Sequence, residues 1–297
     1  MKNKTIEFFD RESGKVCTET VMGDGALRFA YNTLAGRALW GFLFNSSLPS
    51  KLMGKYYDSP KSHKKIPQLA NLPGLRLNEA EKSWQEYGSF NDFFTRKLKP
   101  GMRPFVADEK VVCSPADGRL LVYPDVDKTA KIPVKGAVRS LETLCGQSLD
   151  AKRYHVAVFR LAPVDYHRFH YPCDCEQAAP ARLIPGKYHS VNPIAFHKAP
   201  DVFVENARTV TELTHPQLGK FLYLDVGAFG VGSIAQTAST GHHAKGDEKG
   251  YFKFGGSTVI LLFDADKFAL DADLLTHSAD GMETLIRCGA SIGTIIE

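Results

Sequence analysis

Residues 254–263 read Phe254-Gly255-Gly256-Ser257-Thr258-Val259-Ile260-Leu261-Leu262-Phe263. The run Ser257–Phe263 is rich in β-branched and aromatic residues, the composition of a strand held inside a sheet. The two glycines before it lack a Cβ, so the chain can turn tightly there. Such a turn lets the Ser257 hydroxyl approach the carbonyl of the residue before it. A glycine turn leading into a strand accounts for the same residues without any chemistry.

Working outward, similar runs occur at Arg119–Tyr123, Tyr154–Leu161, Phe203–Val204 with Thr209–Leu213, and Phe221–Val226. Turn residues separate them, and too few helical patterns intervene for a regular strand–helix–strand series. A largely antiparallel β domain is therefore expected over residues 105–297. Residues 1–104 read differently. Over 25–56 the apolar residues recur at three- and four-residue steps, which predicts helix, bent or broken at Gly36 and Gly41. A polar, proline-containing connector fills 57–80. Phe90-Asn91-Asp92-Phe93-Phe94-Thr95-Arg96 predicts a short amphipathic helix, ended by Pro100-Gly101 and Arg103-Pro104. The expected class is α+β, with an N-terminal helical, membrane-associating part ahead of the β domain.

The 297 residues carry a formal charge of +4, too mild for a nucleic-acid partner. Through Lys65 eleven bases face six acids, a net +5, so the excess sits at the N-terminal end. Beside those bases stand Trp40, Phe42 and Phe44, a mixture suited to the interface of an anionic membrane. A solvated face, or a helix packed on its own domain, explains the same residues. The six cysteines are too sparse for a disulfide scaffold, and Cys173 and Cys175 have the wrong spacing for a zinc knuckle. A reducing, cytoplasmic compartment fits. No signal-peptide run opens the sequence, and no stretch approaches the roughly 18 apolar residues of a spanning helix.

Three more constellations invite chemistry. Asp165-Tyr166-His167-Arg168-Phe169-His170 follows a predicted strand, and histidine is the side chain most easily poised as acid or base near neutral pH. In a helical turn the two rings would share a face. No third ligand lies nearby, so no metal is expected. Ser114-Pro115-Ala116-Asp117-Gly118 holds an aspartate able to orient a histidine, although Asp-Gly is also an ordinary turn. Asp225-Val226-Gly227-Ala228-Phe229-Gly230-Val231-Gly232 lacks the context of a dinucleotide loop and suits close approach of backbone.

Taken in order, these pieces resemble the phosphatidylserine decarboxylase family. The resemblance covers roughly residues 86–293. It rests on Phe90–Arg96 with Leu98-Lys99-Pro100-Gly101, on Ser114–Gly118 and on Asp165–His170. It rests also on Ile184-Pro185-Gly186, Ser190-Val191-Asn192, Asn206-Ala207-Arg208, and Lys245–Gly250 running into Gly255–Thr258. Near the C-terminus, Ala290 stands where the family leads one to expect an acid.

The resemblance implies a proenzyme that cuts itself between Gly256 and Ser257 and converts Ser257 into a pyruvoyl group, with no external cofactor. It assigns His170 as the base for Ser257, oriented by Asp117, and His167 to decarboxylation or substrate positioning. The products would be a large chain, 1–256, and a small chain, 257–297, paired as a heterodimer, and the resemblance suggests a homodimer of that unit. The reaction implied is phosphatidylserine to phosphatidylethanolamine and carbon dioxide, through a Schiff base to the pyruvoyl carbonyl. A peripheral enzyme on the cytoplasmic face of the cell membrane follows. The rival readings are a pyruvoyl-dependent decarboxylase of a soluble amino acid, a serine hydrolase using Ser257 and His170, and a non-enzymatic membrane-binding module. The hydrolase lacks a G-x-S-x-G elbow.

Overall fold

The computed structural model describes residues 6–19, 47–134, 137–186, 207–227, 234–254 and 257–296. Ten strands organise the site: β1 (Glu7–Asp10), β2 (Lys15–Thr18), β3 (Gly118–Asp127), β4 (Arg153–Leu161), β5 (Arg168–His170), β6 (Arg208–His215), β7 (Gly219–Gly227), β8 (Glu248–Phe252), β9 (Ser257–Asp264) and β10 (Glu283–Ile286). Among the described residues one sheet of eleven strands dominates. Its spatial order is Gly241–His243, Cys175–Gln177, β6, β7, β9, β4, β3, β10, β1, β2, with Arg182–Ile184 also on β6. Its pairings are antiparallel except that of β1 with β10. A smaller sheet joins Ile234–Gln236, β8 and β5.

Strand β9 lies at the middle of the large sheet because it is apolar on both sides. Alternation sends Val259, Leu261 and Phe263 into one core with Phe169, Tyr223, Phe252 and Phe268. It sends Ile260 and Leu262 into a second core with Val156, Leu224 and the helix Leu141–Cys145. A strand covered on both faces loses the polar alternation of a surface strand. Each large side chain so buried contributes roughly 1.5–3 kcal/mol.

The N-terminal part supplies short helices: α1 (Ser47–Asp58), α2 (Ile66–Ala70) and α3 (Phe90–Phe94). Ser89 caps α3 by accepting the Asp92 amide at 3.2 Å. The helix expected over 25–56 is seen from Ser47 onward; residues 25–46, with Leu39, Trp40, Phe42 and Phe44, lie outside the described residues. So does the strand expected at Phe203–Val204. The sequence reading did not anticipate the hairpin β1–β2, which joins residues 7–18 to the edge of the large sheet. No helix among the described residues is long and apolar enough to cross a membrane.

A third core holds Ile66, Leu69, Tyr87, Phe90, Phe93 and Phe94, with Tyr57 and Phe254 packed against it. Phe254 meets Tyr57 and Phe90 at 4.9 Å each and Phe94 at 5.2 Å, all edge-on. Asn91 Oδ1 accepts the Phe254 amide at 2.9 Å, and Lys253 pairs with Asp58 at 2.8 Å. The helical part thus grips the chain just ahead of Ser257.

Candidate active site

Ser257 is the first residue of β9, opposite Gly227 of β7 and Leu161 of β4. It is fully buried, and among the described residues its hydroxyl has no hydrogen-bond partner. A buried hydroxyl left unpaired costs free energy, so it marks a place where something else is meant to interact. Gly255 and Gly256, the other half of the expected cleavage site, lie outside the described residues.

Two further elements meet the same edge. Gly118 starts β3 against Arg160 of β4, so closely that a Cβ on it would sit 3.1 Å from the Arg160 carbonyl oxygen. Asp117 precedes it, buried. The turn 162–165 follows β4 and leads to His167 and His170. Arg119 pairs with the Asp165 carboxylate, which also accepts the Ala162 amide at 2.6 Å, so the turn is braced from β3.

His167 is buried. Its Nδ1–H donates to the Asp165 carbonyl at 3.0 Å, which leaves Nε2 with a free lone pair and no partner among the described residues. Its ring lies 3.9 Å from that of Phe94. Burial, reinforced by the Arg96 charge, pushes its pKa down to about 3, so it is neutral at physiological pH.

His170, on β5, faces elsewhere. Its Nδ1–H donates to the Gly246 carbonyl at 2.9 Å, and Nε2 meets the Tyr166 hydroxyl at 3.2 Å. Burial lowers its pKa, against the opposing pull of the Gly246 carbonyl. The histidines do not form one helical face, because Arg168–His170 is extended. Side chains three apart in an extended chain point to opposite sides.

The expected contact between Asp117 and His170 is absent among the described hydrogen bonds. Arg103 donates to both Asp117 oxygens, at 2.7 and 2.6 Å, and the Cys288 amide adds a third bond at 2.9 Å. Burial raises the Asp117 pKa, but these partners outweigh it and the carboxyl stays below its usual range. A two-pronged guanidinium in a buried setting is a stronger partner than a neutral ring. Asp117 still exerts its charge on both histidines. The orienting acceptor for His170 is the Gly246 carbonyl. Ala290, the departure from the family pattern, serves through its backbone, its carbonyl accepting the Ser114 amide at 2.7 Å.

Sequence reasoning gave no role to a second buried network. Lys249 on β8 pairs with Asp225 on β7 at 2.8 Å and donates to Gln236 at 2.9 Å. Asp225 Oδ2 also accepts from Thr209 at 2.9 Å and Gln236 at 2.7 Å. The pair ties β8, partner of β5 and His170, to β7, partner of β9 and Ser257. Asp225 and Lys249 each stand in a run that the sequence singles out, but nothing in either run points to their pairing.

A cavity of about 350 Å³ opens between the β1–β2 hairpin and residues 72–76; Asp165 and Arg287 line it, whereas Ser257, His167 and His170 do not. The buried unpaired groups mark the centre better than the cavity does. No group of three or more histidine, cysteine or acidic side chains among the described residues is arranged to hold a metal.

The sequence profile of the family described as phosphatidylserine decarboxylase matches residues 90–294. A phosphatidylserine decarboxylase proenzyme of Clostridium novyi (strain NT) is 42% identical over 297 residues, covering 97% of this chain and 99% of the relative. One of Chlamydia muridarum is 39% identical, covering 99% and 98%. One of Chlamydia pneumoniae is 42% identical over 291 residues, covering 97% and 96%.

Proposed function

The chain belongs to the phosphatidylserine decarboxylase family, and from that premise we propose how its own residues make and use a pyruvoyl group. It is an enzyme that decarboxylates phosphatidylserine to phosphatidylethanolamine. The observation that carries the rest is Ser257, buried and unpaired at the head of β9 directly after two glycines. That setting suits a serine converted in place.

In self-processing, the Ser257 hydroxyl gives its proton to His170 and its oxygen attacks the Gly256 carbonyl. The C–N bond breaks, a C–O ester forms, and the freed nitrogen takes up a proton. Loss of the Ser257 α-proton then expels the Gly256 carboxylate and leaves dehydroalanine. Water replaces its nitrogen, ammonia leaves, and residue 257 ends in a ketone. The His170 ring is held by Gly246, so its Nε2 lone pair is the basic one. It is reached once the Tyr166 hydroxyl gives way. Asp117 acts on the rings through its charge.

The pyruvoyl carbonyl supplies an electrophile that condenses with the substrate amine and draws electrons as carbon dioxide leaves. Around it His167 presents a neutral Nε2, able to hold a proton near the reacting carbon. Phe94 and Phe254 wall the site and exclude water, which strengthens every charge interaction inside. The cleaved halves stay together, since β9 is paired on both sides.

The acyl chains remain in the bilayer during turnover, which calls for docking at the membrane surface. The basic, aromatic stretch 25–56 is the proposed docking segment. Purified enzyme should release carbon dioxide from phosphatidylserine vesicles and not from free serine. Replacing Leu39, Trp40 and Phe44 together should abolish vesicle binding and leave self-cleavage intact. Equal turnover of free serine would transfer the protein to the soluble decarboxylases; undiminished vesicle binding would remove the docking segment.

A further inference from the structure

We propose that Arg96 is the anion-binding residue of the substrate site and takes the phosphodiester of the lipid head group, an inference that rests on the decarboxylase reading above. Arg96 follows α3 and is buried, only 3% exposed. Its Nη2 donates to the carbonyls of Val164 and Asp165, both at 3.1 Å. Among the described residues its Nε and Nη1 have no hydrogen-bond partner. The neighbouring carboxylates are committed elsewhere, Asp117 to Arg103 and Asp165 to Arg119. A permanently charged guanidinium is thus buried with two of its three nitrogens unsatisfied, against a backing of Phe93 at 5.5 Å. Desolvating such a group is costly unless an anion completes it.

Its place is the reacting centre. Arg96 Nη2 and His167 Nδ1 converge on one acceptor, the Asp165 carbonyl, at 3.1 and 3.0 Å. The guanidinium therefore stands beside the histidine whose Nε2 is also unpaired, and Phe94 of the same segment covers that ring. The open Nε–H and Nη1–H groups lie on different edges of the guanidinium, because Nη2 separates the two bidentate edges and is already spent, so they offer single charge-assisted donors to an oxyanion. The substrate carries a phosphate and a carboxylate. The carboxylate loses its charge as carbon dioxide leaves, so a cation gripping it would hold the ground state more tightly than the transition state and slow the step. The phosphodiester is unchanged from substrate to product, and binding it anchors the head group without opposing the chemistry.

Short-chain phosphatidylserine as substrate and short-chain phosphatidylethanolamine as inhibitor separate the two anions, since the product keeps the phosphodiester and lacks the carboxylate. Arg96→Met and Arg96→Lys are first checked for cleavage by intact mass, and both should be cut. Arg96→Met should raise KM for the substrate and Ki for the product by the same factor, about 10–100-fold for a lost charge-assisted pair. Arg96→Lys should fall between, keeping the charge without the spread of fixed donors. Unchanged KM and Ki overturn the proposal. A raised KM with unchanged Ki moves Arg96 to the carboxylate and overturns it too. Failure of both variants to cleave contradicts it by placing Arg96 in processing or folding. An uncut wild type would instead defeat the decarboxylase reading itself.

Discussion

Replacing His170 with alanine is expected to slow self-cleavage by about 10²–10⁴-fold, the usual worth of a positioned general base. The ring has the tautomer that the task requires, because Nδ1–H is spent on the Gly246 carbonyl and Nε2 carries the lone pair. Burial keeps it neutral: its pKa lies below the ordinary histidine value of 6.5. The sign of the pH dependence follows. The base form predominates above pH 6.5, and cleavage is lost only as pH falls through the depressed value. Single-turnover cleavage of freshly synthesised chain between pH 5 and 8 should be flat at the upper end and decline at the lower. A His170→Ala chain that cuts at the wild-type rate, or a decline already complete at pH 7, would contradict the assignment.

Lys249→Met should destabilise the uncut chain by about 3–5 kcal/mol, the cost of leaving one partner of a buried ion pair alone. Lys249 and Asp225 are both fully buried, so no solvent is at hand to replace the lost charge. Adding Asp225→Leu should restore most of the stability, because a well-packed apolar pair of similar volume is about as good as a buried ion pair. Gln236 and Thr209, already 3.1 Å apart, can then satisfy each other. Urea unfolding of the two variants on a Ser257→Ala background measures both numbers. A single variant within about 1 kcal/mol of its parent would show that the pair is solvated in practice. A double variant as weak as the single would show that Asp225 has a further partner near its unpaired Oδ1.

The parts of the fold that could be read in the sequence are those whose residues are buried on both faces. Ser257–Phe263, Tyr154–Leu161 and Phe221–Val226 announce themselves as apolar runs, and each falls within a strand of the large sheet. The helix at Phe90–Phe94 was equally legible, from its amphipathic pattern. The hairpin β1–β2 was not. Its residues are mostly exposed or half-buried, and its place is fixed by pairing Phe8 with Glu283 at the far end of the chain. Local pattern carries no trace of such a partner.

The site divides in the same way. Ser257, His167, His170 and Asp117 stand out as residue types with chemistry to offer; Ser257 and Asp117 stand at one end of the large sheet, while His170 sits on β5 of the smaller one. Their contacts were not readable. Arg103 looks like part of a domain boundary in sequence, yet it occupies both oxygens of Asp117. Gly246 contributes a carbonyl, which no side-chain motif reveals. Arg96 reads as the polar end of an amphipathic helix, and only burial shows that its charge is enclosed.

Intact-mass spectrometry of the purified protein beside a Ser257→Ala control tests the central claim most directly. The account predicts two chains from the wild type, one ending at Gly256 and one beginning at residue 257 with the mass of a pyruvoyl group, and a single uncut chain from the control. A wild-type protein that keeps one full-length mass, even after incubation with membranes, would contradict it.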